Sequence, residues 1–113
     1  MKSIAQMYDP VKTALISVSE NVGKGEAIDA TVTHLVYQID SEGNSFNADD
    51  GKEQQVLQGT IDLYALPKDE NKYFDGVQKA LNDAGVSFYL NSVQFEDMEL
   101  NNFIHYEWVF EVS

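Results

Sequence analysis

The sequence contains no cysteine and no arginine in its 113 residues. Lack of cysteine removes disulfides, thiolate nucleophiles and zinc–thiolate sites together. Lack of arginine removes the commonest reader of guanine and the side chain best shaped to grip phosphate. Seven lysines face 19 carboxylates, for a formal net charge of −12, which argues against a duplex-binding role. No run approaches the roughly 20 apolar residues of a membrane span. The opening MKSIAQMYDP carries one lysine and then a polar, proline-interrupted run, unlike a signal peptide. These absences fit a cytoplasmic protein, or a component of a particle assembled in the cytoplasm.

What is present is a folded α+β pattern. Apolar residues make up 43% of the chain, within the globular range, and the length suits one domain spanning 1–113. The final stretch, FIHYEWVFEVS from Phe103 to Ser113, places Ile104, Tyr106, Trp108, Phe110 and Val112 at strict period two. That is a half-buried strand with one heavily aromatic face. Tyr106 and Trp108 could serve as a stacking platform for bases. They point the same way as Ile104, Phe110 and Val112, however, which favours the core.

Earlier elements follow from capping and periodicity. Ser3 and Gln6 are spaced as a capping box, and Asp9-Pro10 resembles a helix start, so a short turn is expected before a helix over about Pro10–Ser19. The glycines of NVGKG (21–25) end that element. Strands are expected over Ala30–Ile39 and Val56–Leu66, the second with Gly59 at a bulge or a close contact. Between them lies a polar interval, DSEGNSFNADDGKEQQ (40–55), whose acid spacing does not match a calcium loop. A second helix is expected from a start at Pro67–Asn71, with Asp69 or Asn71 as cap and Phe74, Val77, Leu81 and Ala84 as its stripe. Gly85 suits the left-handed residue that closes it. Val86–Glu96 alternates but shifts phase near Asn91-Ser92, which implies a bulge before the aromatic strand.

The order is therefore α-β-β-α-β-β: an α+β domain with a four-stranded antiparallel or mixed sheet and two helices on one face. The opposite sheet face would keep Val36, Val56, Tyr64, Phe103 and Val109, more apolar than solvation requires, and this points to a partner. His105 and Glu107 share a strand face, with Asp62 close by on a facing strand, which is the raw material of a metal site or an acid–base pair. No third ligand is predictable, and Ser92 and Ser113 lack any nucleophile-elbow context. No catalytic, cofactor-binding or metal-binding residue is assigned, and an enzyme is not expected.

The opening IAQMYDPVKTAL, the segment DSEGNSFNADDGKEQQVLQGTIDLY and the ending VSFYLNSVQFEDMELNNFIHYEWVFEV resemble the small tail completion and tail terminator proteins of long-tailed bacteriophages and prophages. The resemblance covers nearly the whole chain through element order and texture. It implies a homo-hexameric ring that caps the tail tube, contacts the tube protein and the head-side connector, and passes DNA without specific binding. It also implies a location in the host bacterial cytoplasm during assembly and in the virion tail afterwards. In such a ring the loop matched by Ser41–Gln54 takes part in contacts. The interface residues expected on this basis and from the sheet face are Ser41, Phe46, Asp49, Asp50, Lys52, Gln54, Tyr64, Phe103, His105 and Val109. Two other classes stay open: an acidic adaptor or inhibitor without catalytic activity, and a small enzyme using the His105/Glu107 face.

Overall fold

The structure, a computed structural model, describes residues 3–42, 56–97 and 102–113. Helix α1 spans Ile4–Val18. Its capping box forms as expected: the Gln6 N–H donates to Ser3 Oγ (3.2 Å) and the Ser3 N–H donates to Gln6 Oε1 (2.8 Å). Pro10 does not divide the segment; one helix runs through it. Proline removes one i→i−4 hydrogen bond there. The cap upstream and the buried stripe Met7, Val11, Ala14 and Leu15, which spans both sides of the proline, hold the helix together.

Five strands follow, where the sequence suggests four. They are β1 (Val22–Lys24), β2 (His34–Glu42), β3 (Leu57–Ala65), β4 (Ser87–Asp97) and β5 (Asn102–Val112), with a 3-10 turn at Pro67–Asp69 and helix α2 at Glu70–Asp83 before β4. The chain order is thus α-β-β-β-α-β-β, and the sheet order is β1-β2-β3-β5-β4. The sheet is mixed: β1 runs parallel to β2, and every other neighbouring pair is antiparallel.

The extra strand comes from the segment read as a helix terminator. Val22, Gly23 and Lys24 pair with Leu35, Val36 and Tyr37. Three residues carry no readable alternation; they become a strand because Asn21 fixes the return of the chain. Its amide Nδ2 donates to the Asp29 and Thr33 carbonyls (3.0 Å each), and its Oδ1 accepts from the Asp29 N–H (3.1 Å). Residues 30–33, expected at the start of β2, are turns and bends. Thr33 is held off the ladder: its Oγ1 donates to Asp69 Oδ2 (2.7 Å) and accepts from the Leu66 N–H (3.0 Å). Asp69 is the residue before α2, but its carboxylate serves Thr33 and not the helix.

Both helices cover one sheet face. Met7, Val11, Leu15, Val77 and Leu81 meet Leu35, Ile61, Leu63, Trp108 and Phe110 in one continuous core. Every inward residue of β3 is buried, as the alternation requires. Gly59 is one of them: a Cβ there would strike the Gln38 carbonyl and lie 2.7 Å from the Phe110 ring. The ladder with β2 also shifts register beside it, between Ile39 and Ser41. The bulge expected in β4 is present between Leu90 and Ser92. Gly85 has φ +74°, the left-handed closing residue of α2. Among the described residues no helix is long and apolar enough to cross a membrane.

Trp108 carries the largest fully buried side chain, and its Nε1–H donates to Gln78 Oε1 on α2 (3.1 Å). Trp108→Ala removes that volume and strands the Gln78 carbonyl, so it should cost about 3–5 kcal/mol. Chemical denaturation monitored by far-UV circular dichroism would read this as a large fall in midpoint, or as a chain unfolded in buffer.

Candidate functional site

The sheet face away from the helices holds the chain's histidines. Cross-strand pairing puts His34 (β2) opposite Tyr64 (β3), and Tyr64 opposite His105 (β5). The three rings form a stack: Tyr64 lies 4.8 Å from His34 at 12° and 4.1 Å from His105 at 17°. Phe103 meets His34 edge-on at 5.5 Å and 84°. His34 Nδ1 is 2.7 Å from the Val32 carbonyl and therefore donates to it.

His105 reaches diagonally across both of its neighbouring strands. Its Nε2 is 2.7 Å from Asp62 Oδ1 on β3, and its Nδ1 is 2.9 Å from Glu96 Oε2 on β4. An ionised carboxylate only accepts, so with both carboxylates ionised and both ring nitrogens donating, the ring is an imidazolium. Burial by itself would lower the His105 pKa, but the hydrogen bonds and charges of Asp62 and Glu96 outweigh it and hold the pKa above its usual value. The charged ring lies flat on the electron-rich face of Tyr64, and one cation thereby joins β3, β4 and β5. Tyr64 is pushed upward by burial first and then by the nearby charges of Asp62, Glu96 and Glu107.

The expected proximity of Asp62 to His105 is realised, but Glu107 is not His105's partner. Its carboxylate accepts from Asn91 Nδ2 (2.9 Å) at the β4 bulge. Glu96 takes its place, and the sequence does not single it out. The signal was available: following alternation through the bulge brings Glu96 onto the His105 face, two residues beyond Gln94, which pairs with His105. In this arrangement neither His105 nitrogen offers a lone pair to a substrate proton or a metal. Among the described residues no group of three or more His, Asp or Glu side chains is placed to hold a metal ion. A hollow of about 380 Å³ adjoins the stack, lined by Glu26, His34, Val36, Gln38, Asp62 and Tyr64 among others.

The proposed interface residues fare differently. Phe46, Asp49, Asp50, Lys52 and Gln54 lie outside the described residues. Ser41 stands exposed on β2, just past the register shift. Tyr64 and His105 are part-buried in the ring stack. Phe103 and Val109, expected on a face open to a partner, are only 1% and 8% exposed within the single chain. The apolar surplus expected on that face is thus mostly covered already: the rings of His34 and Tyr64 close over Phe103.

The open apolar surface lies elsewhere, on β4. Leu90, Val93 and Phe95 pair with Trp108, Tyr106 and Ile104, so they share the helix-side face. Yet they are 40%, 53% and 66% exposed. The helices cover only the start of β4: α2 packs Phe74 against Tyr106 and Trp108 of β5, Phe88 still meets the core, and the strand beyond it is left open. β4 is also an edge strand, with Ser87–Phe95 free of any charge.

Neither a scan against models of protein families nor a search of curated proteins found a match to this chain.

The His105 pairing has a pH signature. Because its pKa is raised in the folded state, its contribution is fully present below the unfolded value of about 6.5 and is lost as pH rises through the folded pKa above it. Denaturant midpoints measured across that range should fall with rising pH in the wild type. His105→Gln should flatten that component of the profile while lowering the midpoint on the acidic side.

Proposed function

We propose that this chain is a non-catalytic assembly subunit, a tail terminator that closes into a hexameric ring on the tail tube and presents a surface to the head-side connector. The observation that carries this reading is the edge strand β4: eleven residues with one side unpaired among the described residues, uncharged from Ser87 to Phe95, and bearing Leu90, Val93 and Phe95 in the open. Such an edge is a template for pairing unless charge, proline or a cover blunts it. Here, among the described residues, the middle of the strand carries no charge and no proline; its bulge between Leu90 and Ser92 is the one interruption. An apolar patch of this kind marks a protein–protein contact.

Charge supports the same reading. A protein ring that lets DNA through must not hold its phosphates, and a chain with net charge −12 and no arginine repels them. The engagement of both His105 nitrogens by carboxylates favours a structural use of that face over an enzymatic one. On this reading the subunit assembles in the bacterial cytoplasm and remains in the virion tail.

Light scattering at rising concentration, followed by electron microscopy with tail tubes, tests the proposal. A closed six-membered ring is expected, free or on the tube end. Phe95→Asp, at a mostly exposed position, should leave thermal melting nearly unchanged. It should weaken assembly at least about 100-fold, because it buries an unpaired carboxylate in the contact. A folded wild-type monomer that ignores tail tubes but binds a basic protein would replace the ring with the adaptor reading.

A further inference from the structure

Large apolar side chains stand exposed at both ends of the sheet, in two separate groups. One is on β4: Leu90, Val93 and Phe95 on the helix-side face, with Tyr89 on the opposite face of the same strand. The other lies toward the β1 edge: Ile16 on α1 and Ile28 in the connection from β1 to β2 wall one hollow, and Val32 of the same connection shares a second hollow with Ile16. In the order β1-β2-β3-β5-β4 these are the two opposite edges.

The β1 edge is concave. A hollow of about 620 Å³ opens between α1 and the β1–β2 connection, walled by Tyr8, Ile16, Val22 and Ile28. Ile28 is 69% exposed and Ile16 is 47% exposed, so the mixed lining of the hollow includes open apolar side chains, and among the described residues none fills it. Lys12 and Lys24 also line it, and among the described residues neither forms an ion pair. Lys24 instead donates to the Tyr8 hydroxyl and lies over the Tyr8 ring, 4.3 Å from its centroid. Asp9 and Glu26 share the lining, so two lysines and two carboxylates give it a local balance in a strongly acidic chain.

We infer that the β4 edge of one copy seats in the α1–β1 hollow of the next, a head-to-tail contact repeated around the assembly. Two copies of a chain at −12 repel wherever carboxylates face each other. The uncharged β4 stretch and the charge-balanced hollow are surfaces on which they do not. A symmetric contact of β4 with β4 would cover one apolar group and leave the other bare, and would stop at a dimer. A head-to-tail contact covers both groups and, when its rotation closes, makes a ring. The inference rests on the ring reading above and specifies which surfaces form the joint.

Two variants test it, each at an exposed position: Phe95→Asp disables the β4 side, and Ile28→Asp disables the hollow. Each alone should keep wild-type melting and remain monomeric, with association weakened at least about 100-fold. Mixed in equal amounts, the pair retains one intact β4 edge and one intact hollow. Native mass spectrometry should then show a one-to-one heterodimer and nothing larger. A wild type that assembles while Ile28→Asp assembles equally well, or dimerises by itself, overturns the head-to-tail joint and leaves the ring reading standing. A mixture that forms no heterodimer where the wild type assembles likewise overturns the joint. A wild type that is monomeric at every concentration, with and without tubes, overturns both.

Discussion

The fold depends on covering one face of β5. This strand is hydrogen-bonded along both sides, to β3 and to β4, and carries Tyr106, Trp108 and Phe110 on the same face. Rings of this size contribute 150–250 Å² of burial apiece, at about 25 cal/mol per Å² of apolar area, so their cover dominates the stability of so small a domain. Their polar tips also need partners, and α2 supplies both. Gln78 accepts from the Trp108 Nε1–H, and Glu70 accepts from the Tyr106 hydroxyl, whose pKa burial and that carboxylate push up to about 12. The position of α2 follows from these two bonds and from Phe74 against the rings. The position of α1 follows from α2, since the helices meet where Gly76 leaves room for Val18; a Cβ there would lie 3.3 Å from the Val18 side chain.

The other face solves a different problem, the density of carboxylates. Asp62, Glu96 and Glu107 project from three adjacent strands of a chain with few cations. A single imidazolium between Asp62 and Glu96 offsets their repulsion, and Asn91 occupies Glu107. Stacking on Tyr64 and the edge contact of Phe103 dehydrate the cluster and strengthen its electrostatics. Engaging both His105 nitrogens makes a clasp across three strands.

Covering β5 well has a consequence at the sheet's edge. Helix α2 is centred on Tyr106 and Trp108, and its width does not reach the far half of β4, so Val93 and Phe95 are left open. At the other end, the β1–β2 connection turns without a helix of its own and leaves Ile28 outside. Both exposed groups therefore arise where cover runs out at the limits of a two-helix layer. In the proposed ring, identical subunits would supply that cover without any change to the fold.

Much of this was legible in the chain. The capping box at Ser3, the inward alternation from Leu57 to Ala65, the close contact at Gly59, the phase shift at Asn91-Ser92 and the aromatic face of β5 are local patterns, set by side-chain period and backbone geometry. The pairing of β1 with β2 was not legible, since three residues carry no period and Asn21 acts across 12 residues to Thr33. Of the partners of His105, Asp62 was anticipated and Glu96 was not singled out, and the burial of Phe103 and Val109 was not legible. Those depend on which strands become neighbours and in what register: His105 meets Asp62 across 43 residues and Glu96 across 9. Alternation assigns a side chain to a face, but only the return of distant segments decides what lies beside it and whether that face is covered. The sequence by itself determined most of the elements and their apolar faces, with β1 and the bounds of α1 and β2 as exceptions; the tertiary structure decided the neighbours, because contact and burial are properties of pairs that the chain brings together only on folding.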